Sequence, residues 1–159
     1  MKLIQRNRDA AYLQYDKYVD FDNPMVMEKA MDLTKNCRSV YEKIETIYYF
    51  VRDEIDHTWD AKDSTITISA SDVLEKKTGI SYSKANLLAA LMRANGIYTG
   101  FCYQRIKRFT YDNKLALHAL NAVFEPEETI TSFKLISRST NEILDMRSDR
   151  SLVNLNSTI

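Results

Sequence analysis

A chain of 159 residues, 45% hydrophobic and 28% charged, carries enough apolar material for one domain with its own core, and no shift in composition marks a second. Its 22 basic residues balance its 22 acidic ones, so there is no bulk field for nucleic acid, an anionic membrane or an acidic partner, and function has to be local. Two histidines and two cysteines, scattered along the chain, leave a metal site or a disulfide framework little to build on; no metal, no cofactor and reduced thiols are expected.

The opening residues MKLIQRNRDA lack an apolar signal core, and no run approaches the roughly 20 apolar residues that span a bilayer. A cytoplasmic chain without membrane contact is expected. Asn23 before Pro24 reads as helix cap and first helical residue, with Val26, Ala30, Leu33 and Cys37 following at helical spacing. Ser39-Val-Tyr-Glu42 has the capping-box pattern, and Val40, Ile44, Ile47, Tyr48, Val51 and Ile55 stripe one helix that ends near Asp56. After a polar stretch at 60–69, Ser71-Asp-Val-Leu opens a brief helix that Gly79 stops. A turn then leads into a helix whose Ala85, Leu87, Leu88, Leu91 and Met92 form a wide apolar face, the mark of a central, buried element. Gly96 supplies the left-handed residue at its end.

Residues 97–109 are rich in aromatic and β-favouring types and read as a strand. Residues 115–124 are apolar on both alternating faces, as in a strand buried on both sides, with Tyr111-Asp112-Asn113 as the hairpin turn before it. A third strand is expected at 131–136, and the polar tail 150–159 is expected to fray. Helices followed by a meander of strands define an α+β domain spanning 1–159.

Two residues could carry chemistry. His118 lies in the apolar strand, either as a core histidine satisfied by backbone groups or as an imidazole held for acid–base work. Ser81 stands at the entrance of the central helix, where a serine can cap the first turn. The same N–H groups and positive helix end also stabilise an anion there, a thiolate far more readily than an alkoxide. A serine nucleophile would need its proton removed by a base during attack. The run Tyr103-Gln-Arg-Ile-Lys-Arg-Phe109 is basic and aromatic, but the neutral net charge favours a solvated strand face over a nucleic-acid contact.

From YYFVRDEIDHTWD through SASDVLEKKTGISYSKANLLAALMRANGI and GFCYQRI to LALHALNAVF, the chain resembles the transglutaminase-like superfamily, a branch of the papain-like thiol enzymes. The resemblance covers 40–141. It implies an α+β fold with N-terminal helices and a central helix packed on an antiparallel sheet. In that family a glycine turn leads to a catalytic cysteine at the helix end, the helix closes on Arg-Ala-x-Gly-Ile, one strand brings a histidine, and the next brings an aspartate that orients it.

The Gly79 turn, Arg93-Ala94-Asn95-Gly96-Ile97 and His118 match this pattern. The cysteine position is Ser81, and the aspartate position is Ser137, or Asp145 if the alignment shifts in the preceding turn. Cys102 reads as a small core residue. Trp59, Tyr82, Gln104 and Asn121 are the cleft-lining candidates, and His57-Thr-Trp59-Asp60 is either cleft wall or aromatic anchor. The implied ligand is a peptide, a protein or a small amide or ester; oligomeric state is not legible. A serine without an orienting acid leaves a degenerate triad of Ser81, His118 and Ser137, since loss of the acid of such a triad costs on the order of 10⁴ in rate. Three readings stand: a binding protein that has lost catalysis, a diverged acyltransferase or amide/peptide hydrolase using Ser81 and His118, and a Cys-to-Ser variant of a cysteine enzyme.

Overall fold

The computed structural model describes residues 9–58, 65–107, 115–124, 132–136 and 143–147. A short 3-10 helix, Asp9–Leu13, precedes α1 (Pro24–Thr34), α2 (Val40–Asp53), β1 (Asp56–His57), α3 (Ala70–Lys76), β2 (Thr78–Gly79), α4 (Ser81–Ala94), β3 (Thr99–Lys107), β4 (Leu115–Phe124), β5 (Ser132–Ile136) and β6 (Ile143–Arg147). The architecture is the expected α+β one.

Asn23 caps α1 by accepting from the Met25 N–H, with Pro24 at the first helical position where its missing donor costs nothing. Ser39 caps α2 by accepting from the Glu42 N–H, whereas the Glu42 carboxylate reaches past the cap to the Arg38 N–H. The expected capping box is therefore only half formed here. A complete one opens α3, where Ser69 and Asp72 satisfy each other's backbone.

Several boundaries differ from the sequence reading: α1 ends at Thr34, short of Cys37, α3 opens on the Ser69 cap and not at Ser71, and β3 begins at Thr99 and not at residue 97. α2 stops at Asp53 because the Asp56 N–H donates to the Lys77 carbonyl at 2.8 Å, drawing the chain into a parallel two-residue pairing of β1 with β2. α3 ends on Lys77, which takes the left-handed conformation at φ 55°, and not on Gly79. Gly79 has a different task. It lies in β2, and a Cβ there would come within 2.6 Å of Ser83 Oγ and 3.1 Å of Thr67 Oγ1, so only glycine lets the strand pass this close to the next helix. Gly96 is the expected left-handed residue after α4, at φ 73°.

α4 is the hub of the helical layer, with Leu87, Leu91 and Met92 fully buried against Val26 and Ala30 of α1, Ile44 and Ile47 of α2 and Val73 of α3. Each such aliphatic side chain contributes roughly 1.5–3 kcal/mol by leaving water. Arg93 locks the far end of the helix. Its guanidinium donates to the Thr99 carbonyl through Nε and Nη2, at 3.1 and 2.7 Å, and to the Gln14 carbonyl at 2.6 Å. Burial holds its pKa below the usual arginine range. The Arg-Ala-x-Gly-Ile run thus joins helix, first long strand and N-terminal segment.

The antiparallel sheet has the order β3-β4-β5-β6, every neighbour consecutive in the chain. β4 has the expected bounds but is not buried on both sides throughout: Ala119 to Val123 are covered, whereas Leu115 and Leu117 are exposed because the helical layer does not extend over that end of the strand. Its nine-pair register with β3 sets Gln104 opposite His118 and Cys102 opposite Leu120. β6 is a fourth strand that the sequence reading did not contain. The expected hairpin turn at 111–113 and the polar tail at 150–159 lie outside the described residues.

Candidate functional site

Ser81 is the first residue of α4 and is half-exposed. It is not the cap. Ile80 holds that position in an extended conformation and offers no side-chain acceptor, and the first turn has no acidic residue. The leading N–H groups of α4 therefore keep their positive end uncompensated at Ser81, the electrostatic setting in which an anion is stabilised.

Two hydrogen bonds seat this helix end on β4. Tyr82 Oη donates to the Leu117 carbonyl at 3.1 Å, and Asn121 Nδ2 donates to the Ala85 carbonyl at 3.1 Å. The first ties the neighbour of Ser81 to the neighbour of His118. The Tyr82 ring also meets the Tyr103 ring, 6.1 Å between centroids. On the other side of the entrance, His57 pairs with Gly79 across the β1–β2 ladder, which puts the second histidine beside the turn leading to Ser81.

Beneath the helix end lies a recess of about 60 Å³, lined by Tyr48 and Arg52 of α2, Lys84 and Ala85 of α4, and His118 and Asn121 of β4, among others. Four consecutive β4 residues, His118 to Asn121, border it. By alternation His118 shares its sheet face with Cys102 and Leu120, while Asn121 is on the other. Burial pushes the His118 imidazole below its usual pKa and leaves it neutral at pH 7. Among the described residues neither its ring nor Ser81 Oγ takes part in a hydrogen bond.

The other residues singled out in the sequence are distributed as follows. Tyr82 and Asn121 make the two bonds just described. Gln104 pairs with His118 through its backbone, and its side chain lies outside the described part. Ser137 and Trp59 lie outside the described residues. Asp145 is on β6 opposite Lys134, which in turn lies opposite Val123. That register separates it from His118 by two strand spacings, about 10 Å, as well as by the length of β4 from Val123 back to His118. Burial raises the Cys102 thiol pKa, as suits an inert core residue.

The sequence reading missed Lys84 and Arg52. Lys84 is nearly buried, and its ammonium donates to the Ile55 carbonyl. A signal was present: Lys84 stands three, four and seven residues before Leu87, Leu88 and Leu91, a polar residue at a core position of the apolar stripe. Arg52 pairs with Asp53 at 2.6 Å and stacks over the Tyr48 and Tyr49 rings. No group of three or more metal-ligating side chains occurs among the described residues.

The N-terminus of α4 is docked on the strand that carries His118, and residues 28–129 match the model of the transglutaminase-like superfamily. The match covers more than half of the chain, which therefore belongs to that superfamily. Comparison with curated proteins gives no match. Among solved structures, a candidate cysteine protease from Cytophaga hutchinsonii is similar over 87% of this chain and 46% of its own, with TM-score 0.64 and 17% identity. The periplasmic domain of TgpA from Pseudomonas aeruginosa, bound to ethylmercury, is similar over 82% of this chain and 48% of its own, with TM-score 0.60 and 16% identity. At these identities the likeness is one of fold, and the chain spans about half the length of either structure.

Proposed function

We propose that this transglutaminase-like domain carries a degenerate triad, Ser81, His118 and Ser137, and binds a peptide or amide in the recess at the foot of α4 with little or no catalysis. The observation that supports it is the state of His118. Its pKa is lowered by burial alone, whereas an imidazole facing an orienting carboxylate is held above its usual value. A serine at the entrance needs a strong base, and a neutral imidazole whose ring meets no carboxylate among the described residues is a weak one. Ligands are peptides, proteins or small amides and esters, neither nucleic acid nor membrane. The free thiols of Cys37 and Cys102 support a reducing, cytoplasmic setting. No described helix is long and apolar enough to cross a membrane.

One observation favours a second reading, an active acyltransferase or hydrolase using Ser81 and His118, whether natural or left by a Cys-to-Ser replacement. The uncapped N-terminus of α4 offers backbone N–H groups at the point where an oxyanion would develop. The two readings separate on treatment with an activated acyl donor such as p-nitrophenyl acetate followed by intact-mass analysis. The binding reading expects Ser81 to remain unmodified; a stoichiometric acyl adduct on Ser81 that disappears in His118→Ala would overturn it.

A further inference from the structure

The sheet face that meets α4 does not end where the helix does. Ala119 and Asn121 on β4 are buried beneath the first turns of α4, and Asn121 is only 2% exposed. Further out on the same face, Leu117 is 50% exposed, Leu115 is 55% exposed and Tyr103 on β3 is 51% exposed. The covered face thus becomes an open apolar shelf at the turn that carries Ser81. Tyr82 is pinned at its border by Leu117 and Tyr103.

The shelf also has a charge. Arg105 lies directly opposite Leu117, is exposed, and has no ion-pair partner among the described residues. β3 and β4 contain no Asp or Glu; their charged residues are Arg105 and Lys107. Tyr103 and Arg105 stand two apart on one strand, about 7 Å, which is the spacing of alternate side chains on an extended chain.

We propose that this shelf selects the ligand, and that the ligand is an extended acidic peptide. An aromatic or leucine-sized side chain rests on Tyr82, Tyr103 and Leu117, and a carboxylate two residues along meets Arg105. The apolar residues exclude water beside the helix entrance, and the guanidinium fixes direction and register by a charge-assisted pair. This rests on the peptide-binding reading above and adds the ligand's composition to it.

The test is fluorescence anisotropy on the full chain with fluorescein-labelled hexapeptides. Gly-Phe-Gly-Glu-Gly-Gly is compared with counterparts in which Glu is replaced by Gln or Lys, or Phe by Ala. The Phe/Glu peptide is expected to bind about tenfold more tightly than the Phe/Lys peptide. Arg105→Glu, an exposed change, inverts that order, while Tyr103→Ser and Leu117→Ser erase the preference for Phe over Ala. Equal binding of all the peptides, or tighter binding of a labelled oligouridine that Arg105→Glu abolishes, overturns the shelf and leaves the recess reading in place. Absence of binding by every peptide to a chain folded by circular dichroism overturns both.

Discussion

The side-chain amide of Asn121 donates to the Ala85 carbonyl, four residues into α4, and so fixes how far the helix entrance sits from the strand that carries His118. Both partners are buried, which means that removing one leaves a polar group without water. Asn121→Leu should cost roughly 1–3 kcal/mol in urea unfolding. A midpoint unchanged from wild type would mean that the bond does not hold the helix in place.

Ser81→Cys, made in a Cys37→Ser background, should gain a thiol that iodoacetamide alkylates with an apparent pKa below the usual value of about 8.5, since the uncompensated end of α4 favours the thiolate. Cys102 gives little background, being buried with its pKa raised. An ordinary thiol pKa, unaffected by His118→Ala, would show that the entrance no longer holds the family's geometry.

The pH dependence of stability follows from His118. Its folded-state pKa is depressed below the unfolded value near 6.5, so the unfolded chain binds the proton more readily. Its contribution is fully present above pH ~6.5 and is lost as pH falls through the folded pKa. Thermal midpoints between pH 7.5 and 5 should therefore fall less in His118→Gln than in the wild-type chain. Parallel curves for the two proteins would place the imidazole in water in the folded state.

Arg93→Ala should be among the more damaging single changes in the helical layer. It abandons the Thr99 and Gln14 carbonyls together, and hydrogen bonds to a charged group are worth about 1.5–3 kcal/mol each. A loss of roughly 3 kcal/mol by urea denaturation is expected. Arg93→Lys should recover part of it, because an ammonium reaches one carbonyl but cannot bridge the two directions of a planar fork.

The elements with strong periodicity were legible: α4 from its apolar face and Gly96, the bounds of β4 from its apolar run, the cap of α1 from Asn23-Pro24; the apolar run did not tell that only its second half, from Ala119 to Val123, is covered. What escaped had no period to read. β1 and β2 are two residues each, and a pairing between Asp56–His57 and Thr78–Gly79 leaves no trace in either segment. Lys77 takes a left-handed conformation that its side chain does not advertise, and Gly79 looked like a stop because glycine serves equally for a turn and for close passage. Motif spacing put Ser81 at the start of a helix and His118 on a strand, where the structure has them. Only the three-dimensional arrangement brings in Arg52 from α2, because its approach to β4 depends on how two helices cross.

The strand order has a consequence for assembly. Every pairing in the sheet joins consecutive strands, so β3 to β6 can zip hairpin by hairpin over short chain separations. The parallel contact of β1 with β2 instead closes a loop from 57 to 78, an entropic cost that precedes any reward. The turn before Ser81 is held by that contact and by the docking of α4 on the β3–β4 hairpin. Both have to form before the entrance is set, so the entrance is expected to order after the hairpin and to open without unfolding it.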